Sequence, residues 1–93
     1  GKNTLAHRLL EMNFMSENVK AYVRKSISGF LSASIEPWEW DDFISSPIKD
    51  AYYDSIRKIC LYIPTRYPPD PGSMNYCSAK GERALSSILE NVI

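Results

Sequence analysis

The sequence has few of the residues that catalysis and cofactor binding usually require. It contains one histidine, His7, two cysteines, and four scattered glycines that form no phosphate-binding loop. The spacing of Cys60 and Cys77 matches no zinc or redox motif, and a chain with so few cysteines is not built on disulfides. His7 has no neighbouring nucleophile to activate. We therefore predict a non-enzymatic protein without a catalytic residue, metal or cofactor, whose two thiols are reduced core groups.

Net charge is also lacking, since eleven basic side chains balance eleven acidic ones. A neutral chain gives no reason to expect nonspecific binding to nucleic acid or to anionic lipid. No uncharged run approaches the roughly 20 residues that a membrane-spanning helix needs. The segment from Gly1 to Arg8 lacks the features of a secretory signal. We therefore expect a cytoplasmic protein with no membrane partner and no small-molecule substrate.

Apolar and aromatic residues are well represented, at 44% and 12% of the chain. This composition excludes intrinsic disorder, which needs low hydrophobicity and high net charge. A length of 93 residues suits one domain with one core. We therefore predict that residues 1–93 form a single domain.

Apolar residues recur at helical spacing in four segments, and no segment alternates for long enough to be a strand. The second predicted helix runs from Glu17 to about Ala33, with Gly29 inside it as a mark of close packing. The third begins near Asp50 and ends before Pro64, because proline breaks helices. The candidate N-caps, in chain order, are Asn3 or Thr4, Ser16, Asp50 and Ser78.

Two loops complete the predicted architecture. Residues 34–49 lose the helical pattern at Pro37 and are predicted to form a central loop that contains Trp38 and Trp40. Residues 65–76 are proline-rich and are predicted as an extended loop before the last helix. The fold class is thus an all-α bundle of about four helices. Its predicted core comprises Leu5, Leu9, Leu10, Phe14, Val23, Ile27, Phe30, Ile56, Ile59, Leu85, Ile88, Leu89 and Val92, joined by the central tryptophans and Phe43.

The charges are unevenly distributed along this neutral chain. Residues 1–34 carry five basic and two acidic side chains, residues 35–54 carry one and six, and residues 55–93 carry five and three. The three segments therefore have net charges of +3, −5 and +2. The acidic segment also contains aromatic residues, which serve as anchors at protein interfaces, while carboxylates attract basic partners. The candidate partner-binding residues are Glu36, Trp38, Glu39, Trp40, Asp41, Asp42, Asp50, Tyr53 and Asp54.

A structural role would also explain these tryptophans and carboxylates. The tryptophans suit a core, and the acids suit a solvated rim. Asp50 and Asp54 also suit the start of a helix, where the helix dipole favours negative charge. A divalent cation is disfavoured, because the spacing of the carboxylates matches no calcium loop.

Three motifs in this region resemble a known family. They are W-E-W-D-D-F at 38–43, S-P-I-K-D at 46–50 and D-S-I-R-K at 54–58. In them the chain resembles small all-helical bacterial immunity proteins of toxin–immunity systems, including those of contact-dependent growth inhibition. The resemblance covers about a third of the chain, roughly residues 36–63.

The resemblance implies an inhibitor that binds its cognate toxin domain and occludes the active site. It implies a basic nuclease, in the first place a ribonuclease, as the toxin, with the acidic segment mimicking phosphates. The inhibitor itself would bind no nucleic acid directly. The alternative hypothesis is a small helical DNA-binding transcriptional regulator that uses basic residues of the first two predicted helices, namely Arg8, Lys20, Arg24 and Lys25.

Overall fold

Residues 4–93 contain four α-helices. The computed structural model describes the backbone of residues 4–93 and the side chains of residues 17–93. The helices are α1 (Thr4–Leu31), α2 (Pro37–Ser45), α3 (Ala51–Arg66) and α4 (Ala79–Asn91), and no strand occurs in residues 4–93. The all-α four-helix fold class is therefore confirmed. The predictions for Asn3 as a cap, for His7, and for Leu5, Leu9, Leu10 and Phe14 as core residues lie outside the described residues and side chains.

Helix α1 joins the first two predicted helices into one. It runs for 28 residues, so Ser16 lies inside it and the predicted N-cap at that position is wrong. The physical reason is that residues 11–18 contain neither proline nor glycine, and a serine alone does not stop a helix. Val23 and Ile27 of α1 are completely buried, as predicted.

Helix α2 occupies the segment that was predicted as a central loop, and that prediction is wrong. Pro37 is the first residue of α2, where its fixed φ suits a helix and its missing N–H has no intrahelical partner to lose. The Glu39 carboxylate accepts a hydrogen bond from the backbone N–H of Glu36 at 3.3 Å, which stabilises this helix start. Apolar residues at helical spacing, Trp40, Phe43 and Ile44, face the core.

Helix α3 begins where predicted but continues past Pro64, so the predicted end is wrong. The Asp50 side chain caps its start by accepting from the backbone N–H groups of Tyr52 and Tyr53, at 2.9 and 3.2 Å. Pro64 cannot donate to the carbonyl of Cys60, four residues earlier. The hydroxyl of Tyr76, in the proline-rich loop, donates to that carbonyl at 2.7 Å instead. The loop thus replaces the hydrogen bond that the proline removes, and the helix runs on to Arg66.

Helix α4 starts at the predicted cap, since the Ser78 hydroxyl accepts from the backbone N–H of Gly81 at 3.4 Å. Leu85 and Val92 are buried, and Ile88 and Leu89 pack against the core while keeping part of their surface exposed. Ile59 was predicted to lie in the core but is 49% exposed, on a flank of α3. Over the described part of the chain, no helix combines the length and hydrophobicity needed to cross a membrane.

The turn after α1 is tight and is held by backbone hydrogen bonds. Ala33 has a φ of 56°, and the N–H of Ser34 reaches back to the carbonyl of Gly29 at 2.8 Å, the pattern of a Schellman cap. The chain then returns so closely that a Cβ on Gly29 would lie 2.5 Å from Cγ2 of Ile35. The close packing predicted at Gly29 is therefore confirmed.

Replacing Ala33 with glycine should stabilise the protein by about 1 kcal/mol, because a left-handed alanine is strained and a glycine is not. Urea denaturation measures the change. Ala21→Gly is the matched control, since Ala21 is an exposed residue inside α1. It should destabilise by about 1 kcal/mol. Equal effects of the two substitutions would contradict the strain at Ala33.

Tyr76→Phe should destabilise the protein by about 1 kcal/mol, because the carbonyl of Cys60 loses its donor. The same substitution should cost clearly less in a Pro64→Ala background, where residue 64 supplies an N–H to that carbonyl. A double-mutant cycle measured by urea denaturation tests this coupling. Additive effects would show that Tyr76 does not substitute for the missing N–H.

Candidate functional site

The outward side of α2 carries a compact group of carboxylates around an exposed tryptophan. We call this group the acidic face, and it consists of Glu36, Trp38, Glu39, Asp41 and Asp42. Trp38 is 67% exposed, whereas Trp40, two residues later, is 3% exposed. The helical period explains the difference, because α2 buries Trp40, Phe43 and Ile44 and so turns Trp38, Asp41 and Asp42 to solvent.

A cleft of about 210 Å³ lies beside Trp38, between α1 and α2. Tyr22 of α1 lies across it and packs edge-on against Phe43, with ring centroids 5.6 Å apart. Burial, with a smaller effect of the Asp42 carboxylate, raises the pKa of the Tyr22 hydroxyl. Lys25 also lines this cleft. The acidic face therefore has an aromatic neighbour and one nearby cation from α1.

A second cavity, of about 430 Å³, adjoins the other side of the acidic face. Glu36 and Asp41 line it, and Glu82 of α4 adds a third carboxylate. Met74, which is fully exposed, lies at the same cavity. Tyr22, Lys25 and Glu82 were missed in the sequence, because they come from distant helices and no local pattern links them to α2.

The carboxylates of the acidic face have few internal partners beyond the hydrogen bond that Glu39 accepts from the Glu36 N–H. Within residues 17–93, Glu36, Glu39, Asp41 and Asp42 form no ion pair. Asp42 accepts only a long hydrogen bond of 3.5 Å from the Ser46 hydroxyl. The negative charge of this face is therefore available to a partner.

Two predicted partner-binding residues, Trp40 and Tyr53, lie in the core, and their assignment to a binding surface is corrected. Trp40 stacks on Phe30, with ring centroids 4.4 Å apart, and meets the edge of Tyr76 at 5.7 Å. Tyr53 is 5% exposed and donates a hydrogen bond from its hydroxyl to the carbonyl of Ile93 at 2.6 Å. Trp40 lies on the side of α2 that packs against the core, and Tyr53 lies on the corresponding side of α3.

Asp50 and Asp54 serve the fold rather than the acidic face. Asp50 is the N-cap of α3 and lines neither cavity. Asp54 accepts from the Arg57 guanidinium at 2.7 Å and from the backbone N–H of Ile48 at 2.9 Å. These bonds, together with the nearby Lys58, lower the pKa of Asp54 to about 2 from its ordinary 3.8.

Arg57 connects Asp54 to α2. Its side chain is buried, and its Nη1 donates to the carbonyl of Ile44 at 2.7 Å. That carbonyl lies in the last turn of α2, where no intrahelical donor remains. One guanidinium thus binds both the end of α2 and the first turns of α3, and it fixes the orientation of the acidic face.

Both cysteines lie in the core. Cys60 and Cys77 are both free and buried, which confirms the predicted core thiols. Burial raises the pKa of Cys60 to about 12 and also raises that of Cys77, to which Glu82 adds a smaller effect, so both thiols are protonated at neutral pH. In the portion of the chain with described side chains, no three acidic, histidine or cysteine residues gather in a way that could hold a metal ion.

The alternative hypothesis of a DNA-binding regulator stays a prediction. Three of its basic residues, Lys20, Arg24 and Lys25, lie on the continuous helix α1. A helix-turn-helix needs a turn between its helices, and α1 has none at that point.

Comparisons with known proteins give no further assignment: no family model, curated protein or solved structure matches this chain.

Acidification should destabilise the protein through Asp54. The folded pKa of about 2 lies below the ordinary 3.8, so the unfolded chain takes up the proton first as the pH falls. The stabilising contribution is therefore complete above about pH 4 and is lost towards about pH 2. Asp54→Asn should remove this part of the pH dependence, measured as urea denaturation midpoints across that range.

Asp70→Asn is the control for this experiment. Asp70 is an exposed loop residue, and its side chain forms no ion pair among residues 17–93. Its replacement should leave the acid sensitivity of the parent unchanged. An Asp54→Asn protein that loses as much stability on acidification as the parent does would contradict the assignment.

Proposed function

We propose that this protein is a non-enzymatic immunity protein that neutralises a cognate bacterial toxin by binding it through the acidic face. The observation that carries the proposal is Trp38, which leaves 67% of its surface in water beside Asp41 and Asp42. An exposed tryptophan contributes little to the fold. At an interface it supplies a large apolar anchor, and the surrounding carboxylates supply attraction and specificity.

Because the acidic face is negatively charged, the proposed partner binds it through a basic surface. Four carboxylates lie on α2 and its N-cap, and within the described side chains no cation pairs with them. Like charges so close together repel one another in the free protein. Arginine or lysine side chains of a partner would relieve this repulsion and form charge-assisted hydrogen bonds.

A nuclease domain fits this requirement, because an active site that holds a phosphate backbone is itself basic. The acidic face would occupy that site in place of the phosphates. This mode of inhibition agrees with the immunity proteins of contact-dependent growth inhibition that the 38–58 motifs resemble, and it makes a ribonuclease the first toxin to test. The proposal places the inhibitor in the cytoplasm, where such a toxin acts, and requires no direct binding of nucleic acid.

Trp38→Ala, and separately Asp41→Lys with Asp42→Lys, should each weaken binding to the toxin domain encoded beside this protein by about tenfold or more. The charge reversal should mainly slow association at low salt, because it replaces attraction with repulsion. Stopped-flow association, co-purification and protection of cells that express the toxin domain measure the effect.

Matched controls change the same chemistry elsewhere on the surface. Tyr62→Ala removes an exposed aromatic residue outside the acidic face, and Asp70→Lys with Glu90→Lys reverses two other exposed acids. Both should leave the Kd within about twofold, since neither change touches the proposed interface. No complex between the parent proteins at micromolar concentration would refute the immunity function. A complex unaffected by the α2 substitutions would refute the acidic face as its interface.

A further inference from the structure

An apolar groove lies between α3 and α4. It has a volume of about 500 Å³ and shares no lining residue with the two cavities beside the acidic face. Ile59, Tyr62 and Ile63 line it on the α3 side, and the small residues Ala84 and Ser87 line it with Ile88 on the α4 side. This groove lies on a different surface from the proposed toxin interface, so its role is independent of that proposal.

The groove is open along its length rather than enclosed. Ile59 and Tyr62 keep 49% and 63% of their surface exposed, which is unusual for large apolar side chains that lie next to each other. A site for a small apolar ligand would enclose most of that ligand. An open groove between two packed helices instead matches the shape of a third helix, whose side chains fit between small residues such as Ala84 and Ser87.

Two cations of α3 line this groove. Lys58 and Arg66 line it at positions eight residues apart on α3, and no acidic residue lines it. Lys80 lies one turn before Ala84, on the same side of α4. Lys58 approaches Asp54 at 3.6 Å, whereas Arg66 forms no ion pair among residues 17–93 and lies over the ring of Tyr67 at 5.9 Å. Arg66 therefore carries a positive charge that no acidic side chain of residues 17–93 neutralises.

From these observations we infer that the α3–α4 groove binds an acidic amphipathic helix of a partner protein. The apolar side of that helix covers Ile59, Tyr62 and Ile88. The carboxylates of that helix pair with Lys58 and Arg66, the two cations that line the groove. Since Lys58 and Arg66 are separated by about 12 Å along α3, the matching acids on the partner lie about seven or eight residues apart.

Selection from a phage-displayed library of random peptides tests this inference. The peptides should be about 16 residues long, enough for four helical turns. They are selected on the whole protein and counter-selected on its Ile59→Glu variant. The expected result is enrichment of peptides with apolar residues at i, i+3 or i+4 and i+7, together with aspartate or glutamate at the spacing given above. No enrichment, or enrichment of basic peptides, would overturn the inference.

An enriched peptide is then measured by fluorescence anisotropy. Ile59→Glu should weaken its binding about tenfold or more, and Arg66→Glu should weaken it and reduce its salt dependence. Leu61→Glu is the matched control, because Leu61 is 38% exposed on α3 but does not line the groove. It should leave the Kd within about twofold. If Ile59→Glu fails to fold by circular dichroism, Tyr62→Glu replaces it.

Two other occupants of the groove would overturn the inference and are tested with the same variants. A parent protein that sediments as a dimer, and as a monomer when it carries Ile59→Glu, would show that a second copy covers the groove. Co-sedimentation of the parent with phosphatidylglycerol vesicles, lost with Ile59→Glu, would show a lipid surface. Equal peptide binding by Ile59→Glu and Leu61→Glu would place the peptide elsewhere.

Discussion

The orientation of α2 depends on the buried side chain of Arg57. Apolar packing of Trp40 and Phe43 sets which side of α2 faces the core, but it is non-directional and does not by itself fix where the helix ends. The guanidinium adds direction, because it reaches the carbonyl of Ile44 while its charge is balanced by Asp54. An ion pair with one buried partner adds little net stability but is costly to break, because breaking it leaves the buried Arg57 charge unpaired. Here the guanidinium holds the end of α2 in place against α3, and α2 carries the acidic face.

The parts of the fold that could be predicted are those with unambiguous local signals. Asp50 and Ser78 are good N-caps followed by helical patterns, and both helices start there. The effect of a proline depends on its position in the helix, which local sequence does not give. Pro37 begins a helix and Pro64 is tolerated in a last turn, where a hydroxyl from Tyr76 satisfies the carbonyl that the ring leaves free. That compensation comes from a residue twelve positions away, which local patterns do not show.

The composition of the candidate site was predictable, but its division between surface and core was not. The excess of negative charge in residues 35–54 is visible in the sequence. The distinction between Trp38 and Trp40 depends on the rotation of α2, which a loop prediction for that segment does not give. The helix signal was nevertheless present, as a proline at the first position with Glu39 two residues later.

The two sides of α2 have separate consequences for how this protein can change over evolution. Trp40, Phe43 and Ile44 face the core, so substitutions there act on folding. Trp38 and Asp41 face solvent, so substitutions there act on surface chemistry while the core stays intact. A nine-residue helix thus lets the exposed surface change without a matching loss of foldability. For the proposed immunity function, this arrangement would let the acidic face follow changes in the toxin surface while the core stays the same.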